Sequence, residues 1–407
     1  MLYRNRNLDL NARNDDLANS NSNGRIIQVA RTLINKKIKM KTYKNIYPKL
    51  CSYKNLDLAF RKASKGKNKK HYVIEFKKNL KENLIGLKKE LELETYKSSR
   101  LTKFTVKDPK TRLIRKSIFK DRIVHHAIVN ILEPIYEPRF IADNYANRLN
   151  KGTIAAIQRF DKFKQKITKN GKLVKTNFNK NMVKGYVFKA DIKKFFDSVD
   201  QFKIIEILRR KIKDEKLIWL IIKILKNFDN KTKGMPLGNM TSQFFANLYL
   251  NDLDQFVKHK LKAKYYIRYV DDFVILHEDK KVLENYQNKI KKYLMNLKIE
   301  LHPNKSKIFS LYRGVDFLGF KIFYYYKRAR KRNVKNFKMR LNRLKQNYIV
   351  GEISKDKFME SVNGWFAYIR WGNTYNLGKK LAKEIEEFFN HNIQESKPTT
   401  QSNLNYY

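Results

Sequence analysis

Asp271 and Asp272 stand side by side between two runs of mainly apolar, β-forming residues, 265–270 and 273–276. Such runs predict two strands joined by a tight turn, with the acidic pair at its tip. Adjacent carboxylates repel each other where the dielectric is low, and a divalent cation bound through oxygen atoms is the usual compensation. Asp is also common in exposed turns, which is the other interpretation. The apolar flanks favour a metal site.

A second acidic residue follows an apolar run earlier in the chain. Asp191 comes directly after 186–190, which predicts a buried strand. Two carboxylate-bearing strands side by side can hold two metal ions about 3.5–4 Å apart, an arrangement that activates a hydroxyl and steadies a leaving pyrophosphate. Asp197 and Asp200 lie nearby, but strand alternation does not set Asp197 beside Asp191, and we interpret Asp197 as structural.

The chain is strongly basic, with 90 Lys and Arg against 38 Asp and Glu and a formal net charge of +52. Charge of one sign repels itself in a compact fold unless a polyanion neutralises it. Codon bias or an unusual cytoplasm would explain part of the lysine content, but not the scarcity of acidic residues. The charge therefore predicts a nucleic acid partner.

Several sequence features predict a soluble, cytoplasmic protein without a membrane partner. The first residues have no apolar core of the kind found in signal peptides. The apolar run 217–225 is about half as long as a membrane-spanning helix. Cys51 is the one cysteine, which excludes cysteine-based zinc modules and disulfide frameworks.

The hydrophobic pattern predicts an α+β protein: a small antiparallel sheet carries the acidic residues, and basic helices flank it. The segment 234–257 is a loop leading into a helix, with Asn239 or Thr241 as N-cap. His125 and His126 are adjacent on a predicted helix and cannot share a face, so we expect no metal there. The other predicted elements are helical segments at 53–100, 121–140, 203–226 and 334–348, a hairpin at 100–119 and a β element at 316–326.

Three blocks in this order resemble the core motifs of reverse transcriptases: KADIKKFFDSVD, GMPLGNMTSQFFANLYL and YIRYVDDFVIL. Further blocks resemble the enzymes of diversity-generating retroelements, in the group II intron-like bacterial superfamily: FTVKDPKTRLI, DNYANRLNKGTIAA, DFLGFKI and NGWFAYIRWGNTYNL. The resemblance implies a right-hand polymerase. Its parts are a partly disordered basic leader (1–52), fingers (53–184 with part of 201–240), palm (185–320), helical basic thumb (321–392) and tail (393–407).

The resemblance also implies roles for individual residues. Asp191, Asp271 and Asp272 match the catalytic carboxylates, which bind two Mg²⁺ ions, with Mn²⁺ as a substitute. The carbonyl of Ile192 matches a backbone metal ligand. Phe196 matches a ring that leaves no room for a 2′-hydroxyl, and core packing is the less favoured interpretation. The nucleotide-binding set comprises Arg112 with Lys110, together with Phe196, Leu237, Gly238 and Gln243.

Leu237 bears on fidelity. Accurate retroviral enzymes carry Gln at the matching position, and in the retroelement branch an aliphatic residue there is linked to misincorporation opposite adenine. An apolar side chain cannot reward correct pairing with a hydrogen bond, so discrimination falls. Simple packing is the other interpretation of Leu237.

The segment 327–345 contains ten Lys and Arg and no acidic residue. It resembles the thumb helix that follows an RNA/DNA hybrid, although a charge run is also typical of a solvated helix face. Trp365, Tyr368 and Trp371 follow, and we expect them to pack in the thumb core. The predicted nucleic-acid-binding residues are Lys331, Arg332, Lys335, Lys338 and Arg340.

These observations predict an RNA-directed DNA polymerase that copies a structured template RNA into cDNA from dNTPs. The resemblance favours the error-prone, adenine-mutagenic enzyme of a diversity-generating retroelement, working with a small basic accessory protein. The alternatives are a phage-defence reverse transcriptase that uses its own noncoding RNA or untemplated synthesis, and a non-catalytic, maturase-like RNA-binding protein.

Overall fold

The computed structural model describes residues 41–106, 111–175, 181–228 and 232–395. Most of the predicted leader, most of the predicted tail and Lys110 lie outside these residues. The described chain combines α-helices with small antiparallel sheets, as the sequence predicts. Within these ranges we find no helix with the length and apolar character needed to cross a membrane.

The first described helices form a bundle in which α2 (Tyr53–Ser64) packs along α5 (Phe119–Tyr136). Ser52 caps α2, because its hydroxyl accepts a hydrogen bond from the Asn55 backbone N–H. Apolar residues at helical spacing, such as Leu84 and Leu87, are buried between the helices. The bounds are α1 Tyr47–Cys51, α2 Tyr53–Ser64, α3 His71–Lys78, α4 Leu80–Glu92 and α5 Phe119–Tyr136.

The basic hairpin predicted at 100–119 is present between α4 and α5. Strands β1 (Thr102–Val106) and β2 (Arg112–Lys116) pair antiparallel, and most of their side chains are exposed or half-buried. Helix α6 (Thr153–Ile167) and the short pair β3 (Leu173–Lys175) and β4 (Asn181–Val183) lead into the main sheet.

The main sheet contains β5 (Tyr186–Ala190), β6 (Tyr265–Tyr269), β7 (Asp272–His277) and β8 (Lys307–Ser310) in the order β6-β7-β5-β8. All neighbouring strands are antiparallel. The two strands that precede or carry the acidic residues, β5 and β7, are therefore adjacent at the centre of the sheet.

Both faces of the sheet are covered, because apolar side chains alternate along its strands. Phe188 and Ile275 belong to the large core shared with the N-terminal helices. Val187 and Val274 point to a second core that includes Phe160 of α6. The sheet is thus packed on both faces.

The helical region predicted at 203–226 is two helices, α8 (Gln201–Arg209) and α9 (Glu215–Lys226), after the short α7 (Phe195–Ser198). Asp214 separates the two helices, because its carboxylate accepts the Leu217 N–H and so caps the start of α9. The same carboxylate also accepts N–H bonds from Ile46 and Tyr47 at 2.7 and 2.8 Å, which ties α1 to this break.

Helix α10 (Met240–Gln255) begins after Asn239, one of the two predicted N-caps. The Asn239 side chain makes no capping bond to the helix and instead accepts from the N–H and hydroxyl of Ser117. A π-helical turn, Phe256–Lys260, follows α10, and α11 spans Lys280–Asn296.

The β element predicted at 316–326 is a three-stranded sheet, β9 (Val315–Phe317), β10 (Phe320–Ile322) and β11 (Lys327–Ala329). Helices α12 (Lys331–Ile349), α13 (Lys355–Ile369) and α14 (Tyr375–Glu395) then share a separate core. Trp365 stacks on Phe337 there, with centroids 4.4 Å apart, and the Tyr368 hydroxyl donates to the Gly319 carbonyl. The predicted packing in the thumb core is confirmed for Trp365. Tyr368 and Trp371 pack instead against the second core, where Tyr368 contacts Phe320.

Candidate active site

The predicted acidic residues meet at one end of the main sheet. Ala190 lies opposite Phe273, so continuing the register by one residue sets Asp191 across from Asp272. Tyr269 pairs with Asp272, so Val270 and Asp271 alone form the turn between β6 and β7. The predicted strand, tight turn and strand are confirmed.

A cavity of about 500 Å³, here called the carboxylate cavity, opens at this end of the sheet. Asp191, Asp271 and Asp272 all line it. Ile192 and Phe196 reach the same cavity from the segment after β5. Other parts of the chain contribute Arg112, Leu237, His302 and Lys305. The cavity therefore unites residues separated by up to about half of the chain.

The carboxylates influence one another. Burial raises the pKa of Asp271 to about 6, and the nearby charges of Asp272 and Asp191 act in the same direction. Arg112 opposes this shift, so its guanidinium lies close enough to be felt at Asp271. Added positive charge near Asp271 would therefore favour its ionised form.

Asp191 is held from the segment between α11 and β8. The His302 backbone N–H donates to the Asp191 carbonyl at 2.7 Å, and the Ser306 hydroxyl lies 3.3 Å from the same oxygen. The Lys305 ammonium forms an ion pair with the Asp191 carboxylate. In the described residues, no three His, Cys, Asp or Glu side chains converge as metal ligands, and Asp191 is paired with Lys305 instead.

The donor set nevertheless fits divalent magnesium. The three carboxylates and the segment around Ile192 offer only oxygen ligands, which hard cations prefer. The raised pKa of Asp271 marks a place where added positive charge is stabilising. Lys305 provides one such charge at Asp191, on a flexible side chain that is about two-fifths exposed.

A buried ion pair lies under the turn. Arg268 and Asp254 are both fully buried, and the guanidinium donates to both carboxylate oxygens at 2.7 and 2.6 Å. The Tyr266 hydroxyl donates to the same carboxylate at 2.7 Å. The third guanidinium nitrogen, Nη1, donates to the Val270 carbonyl at 3.0 Å.

Val270 is the strained member of the turn. Its φ is 55°, in the left-handed region that β-branched residues rarely adopt. Such strain persists only where the surrounding structure enforces it. The hydrogen bond from Arg268 to the Val270 carbonyl is one such constraint. Val270 directly precedes Asp271.

The loop before α10 rests on the basic hairpin. The Arg115 N–H donates to the Leu237 carbonyl at 3.1 Å. Gly238 has a φ of 114°, and a Cβ there would lie 3.1 Å from the Ile114 side chain, so the close approach requires glycine. Leu237 is thereby brought to the carboxylate cavity beside Arg112.

His125, on α5, links the segment after β2 to helix α10. Its ring nitrogens lie 3.0 Å from the Ser117 hydroxyl and 2.8 Å from that of Thr241. Burial lowers the pKa of His125 to about 3, so the ring is neutral at ordinary pH. Both ring nitrogens of His125 therefore have hydroxyl partners.

The remaining predicted site residues are placed differently. Gly238 and Gln243 do not line the carboxylate cavity, and Lys110 lies outside the described residues. On α12, Arg332 lines a neighbouring cavity of about 620 Å³ that also contains Asp191 and Asp272. The other predicted nucleic-acid-binding residues are exposed on the same helix: Lys331, Lys335, Lys338 and Arg340.

Sequence reasoning missed two supporting residues. Lys305 lies in a polar segment, 302–306, where no pattern distinguishes it from other lysines. Arg268 could have been found, because a single cation inside an otherwise apolar strand implies a buried partner. Its partner, Asp254, is 14 residues away on α10 and carries no local signal.

Comparison with known proteins agrees with this geometry. The family model "Reverse transcriptase (RNA-dependent DNA polymerase)" matches residues 105–322, more than half of the chain. The matched region contains the main sheet and all three carboxylates of the cavity. The chain belongs to the reverse transcriptase family.

Curated relatives include proteins from bacterial and fungal introns. The chain is 31% identical over 154 residues to the group II intron-encoded protein LtrA of Lactococcus lactis, covering 36% of this chain and 23% of that protein. It is 32% identical over 155 residues to an uncharacterized 91 kDa protein in the cob intron of Schizosaccharomyces pombe, covering 36% and 17%. Escherichia coli YkfC is 25% identical over 243 residues, covering 50% and 61%. Each match spans less than two thirds of the relative's own length.

Proposed function

We propose that this protein is an RNA-directed DNA polymerase with its active site in the carboxylate cavity. Asp191, Asp271 and Asp272 line one cavity at the ends of two paired strands, and this placement carries the proposal. Membership of the reverse transcriptase family supports the template and product classes. Asp191, Asp271, Asp272 and the Ile192 carbonyl would hold two Mg²⁺ ions.

Each group near the cavity has a simple task in nucleotide addition. The metal ions, when bound, lower the pKa of the primer 3′-hydroxyl and neutralise charge on the triphosphate. The planar guanidinium of Arg112 would bind two triphosphate oxygens at once. Phe196, which lines the cavity, would lie below the sugar and exclude a 2′-hydroxyl. Lys305 orients the Asp191 carboxylate through an ion pair, at a position that a metal ion would take.

The division of the chain into fingers, palm and thumb is part of the same proposal. The fingers would extend from residue 53 to 184, the palm from 185 to 320 and the basic thumb from 321 to 392. Arg332 of α12 lines one cavity with Asp191 and Asp272, which supports a path for an RNA/DNA hybrid from the carboxylates to this helix. The partners are a template RNA and dNTPs, in the cytoplasm.

The test replaces Asp271 and Asp272 together with Asn. This change keeps the size of both side chains but removes both charges, so Mg²⁺-dependent dNTP incorporation on a primed RNA should fall at least about 1,000-fold. RNA binding, measured by filter retention, should change less than about threefold, because the basic surfaces are untouched. Incorporation at the wild-type rate by the double variant would refute the proposed active site.

We further propose that the enzyme is the error-prone type found in diversity-generating retroelements, with a structured template RNA and a small basic accessory protein. Leu237 supports this proposal, because an aliphatic side chain lines the carboxylate cavity beside Arg112. It provides no hydrogen bond by which a correct base pair could be favoured.

The fidelity test compares wild type with Leu237→Gln on one defined RNA by deep sequencing of the cDNA. The substitution should reduce errors opposite template adenine about tenfold, which needs about 1.4 kcal/mol of added discrimination. Leu237→Met, which stays apolar, is the matched control and should keep the error pattern. A wild-type enzyme without excess errors at adenine would instead favour the phage-defence polymerase. A wild type that incorporates no nucleotide at all would favour the maturase-like RNA-binding protein.

A further inference from the structure

A further, smaller cavity adjoins the carboxylate cavity. It has a volume of about 360 Å³ and is lined by Lys193, Lys194, Lys233 and Lys298, with Glu300 as its one acidic residue. We call it the lysine pocket. Lys193 and Lys194 also line the carboxylate cavity, so the two spaces share a wall.

Two of the four ammonium groups already have acidic partners. Lys193 is paired with Glu300 at 2.6 Å, and Lys298 is paired with the buried carboxylate of Asp200 at 2.7 Å. Within the described residues, Lys194 and Lys233 have no ion-pair partner. The pocket therefore holds uncompensated positive charge, which an anion would stabilise.

The backbone holds Lys194 at the shared wall. Its φ is 44°, in the left-handed region that lysine rarely adopts. Its carbonyl accepts N–H bonds from Asp197 and Ser198 at 2.9 and 3.0 Å, which fixes this conformation at the start of α7. Such local strain is found where a side chain must be presented in one place.

We propose that the lysine pocket binds polyphosphate, and that its ligand is the pyrophosphate released by nucleotide addition. In that reaction the primer 3′-oxygen bonds to the α-phosphorus, the bond from that phosphorus to the bridging oxygen breaks, and pyrophosphate leaves with the electron pair. The pocket is near the lower end of small-molecule sites in size, which suits a small anion better than a nucleic acid strand. This inference rests on the proposed polymerase function.

The first experiment measures binding without catalysis. Radiolabelled pyrophosphate is equilibrated, in EDTA, with full-length protein carrying Asp271→Asn and Asp272→Asn. Adding Lys194→Asn, which tolerates a positive φ, together with Lys233→Gln should weaken pyrophosphate binding about tenfold. Lys291→Gln with Lys292→Gln, on the exposed face of α11, is the charge-matched control and should leave binding unchanged.

The second experiment separates leaving pyrophosphate from incoming triphosphate. Lys233 lines the lysine pocket but not the carboxylate cavity. Lys233→Gln should raise the inhibition constant for pyrophosphate about threefold while the KM for dNTP stays unchanged. A raised KM with unchanged inhibition would overturn the assignment to the leaving group.

Failure of the inference and failure of the proposed function give different results. Unchanged pyrophosphate binding and inhibition in an active polymerase would overturn the lysine pocket alone. A wild-type protein that incorporates no nucleotide would overturn the polymerase, while weaker pyrophosphate binding by the lysine variant would still support the anion site.

Discussion

The strained turn before Asp271 gives a sharp prediction, because one buried side chain restrains it. Arg268→Met removes the guanidinium that donates to the Val270 carbonyl and leaves the Asp254 carboxylate buried without its cation. The expected result is a loss of both stability and catalytic rate, for separate reasons. The two losses can be distinguished by a second substitution at Val270.

The magnitudes follow from the contacts. Removing one partner of a buried ion pair costs about 3–5 kcal/mol of folding free energy. The lost bond to the Val270 carbonyl is a charged hydrogen bond, which accounts for about 1.5–3 kcal/mol of that total. The left-handed conformation of Val270 itself costs about 1–2 kcal/mol. The bond and the strain are of similar size, so without Arg268 the turn is free to relax.

Relaxation of the turn would move Asp271 and Asp272 away from Asp191. A displacement of about 1 Å in an active site can reduce the rate about 100-fold. We therefore expect Arg268→Met to lower kcat for dNTP incorporation about 100-fold on a primed RNA template. Leu56→Ala is the control, since a buried leucine far from the turn loses about 2–5 kcal/mol of stability without touching it.

The decisive comparison adds Val270→Gly to Arg268→Met. Glycine adopts a positive φ without strain, so the turn should keep its shape although the guanidinium is absent. The double variant should recover at least about tenfold of the lost kcat, while the folding free energy measured by chemical denaturation stays low. Equal losses of rate in Leu56→Ala and Arg268→Met, or no recovery with glycine, would show that Arg268 supports the fold and not the turn.

Two further predictions concern the basic helix and the buried histidine. The first variant replaces four cations of α12 with Ala: Lys331, Arg332, Lys335 and Lys338. For binding to an RNA/DNA hybrid, the slope of the log binding constant against log salt should fall by about 3. An unchanged slope would exclude a phosphate track on this helix. Because the pKa of His125 is lowered to about 3, its contribution to stability is complete above about pH 6.5 and is lost as the pH falls towards 3. Between pH 7 and 5 it should account for about 2 kcal/mol of lost unfolding free energy. His125→Gln should remove that part of the pH dependence in urea titrations, whereas His71→Gln, at an exposed position, should not.

Local patterns predicted those parts of the fold that short segments determine. The acidic turn was predictable because apolar runs flank Asp271 and Asp272 on both sides. The basic hairpin was predictable because alternating residues surround a turn sequence at 107–110. Pairing between β5 and β7 was an inference from the proposed chemistry, since no local signal shows which strands are neighbours.

Features that depend on distant partners were not predictable. The break between α8 and α9 is set by Asp214, whose carboxylate binds backbone N–H groups of α1 some 168 residues away. Asn239 was predicted as a helix N-cap, but its side-chain oxygen accepts a hydrogen bond from Ser117 instead. The role of Lys305 depends on how 302–306 returns to the end of β5. In each case a side chain has local and distant partners available, and the tertiary fold decides between them.

The three cavity carboxylates are half-buried, and their surroundings differ from those of the buried ones. Asp214 and Asp200 accept backbone N–H bonds at helix starts, and Asp254 is matched to a guanidinium. Burial raises the pKa of Asp271 in the cavity, and the nearby charges of Asp272 and Asp191 act in the same direction. Asp191 is paired with Lys305, a flexible side chain that is about two-fifths exposed. A carboxyl with a raised pKa is stabilised by added positive charge, so the site is suited to an exchangeable cation, which is what metal-dependent phosphoryl transfer requires.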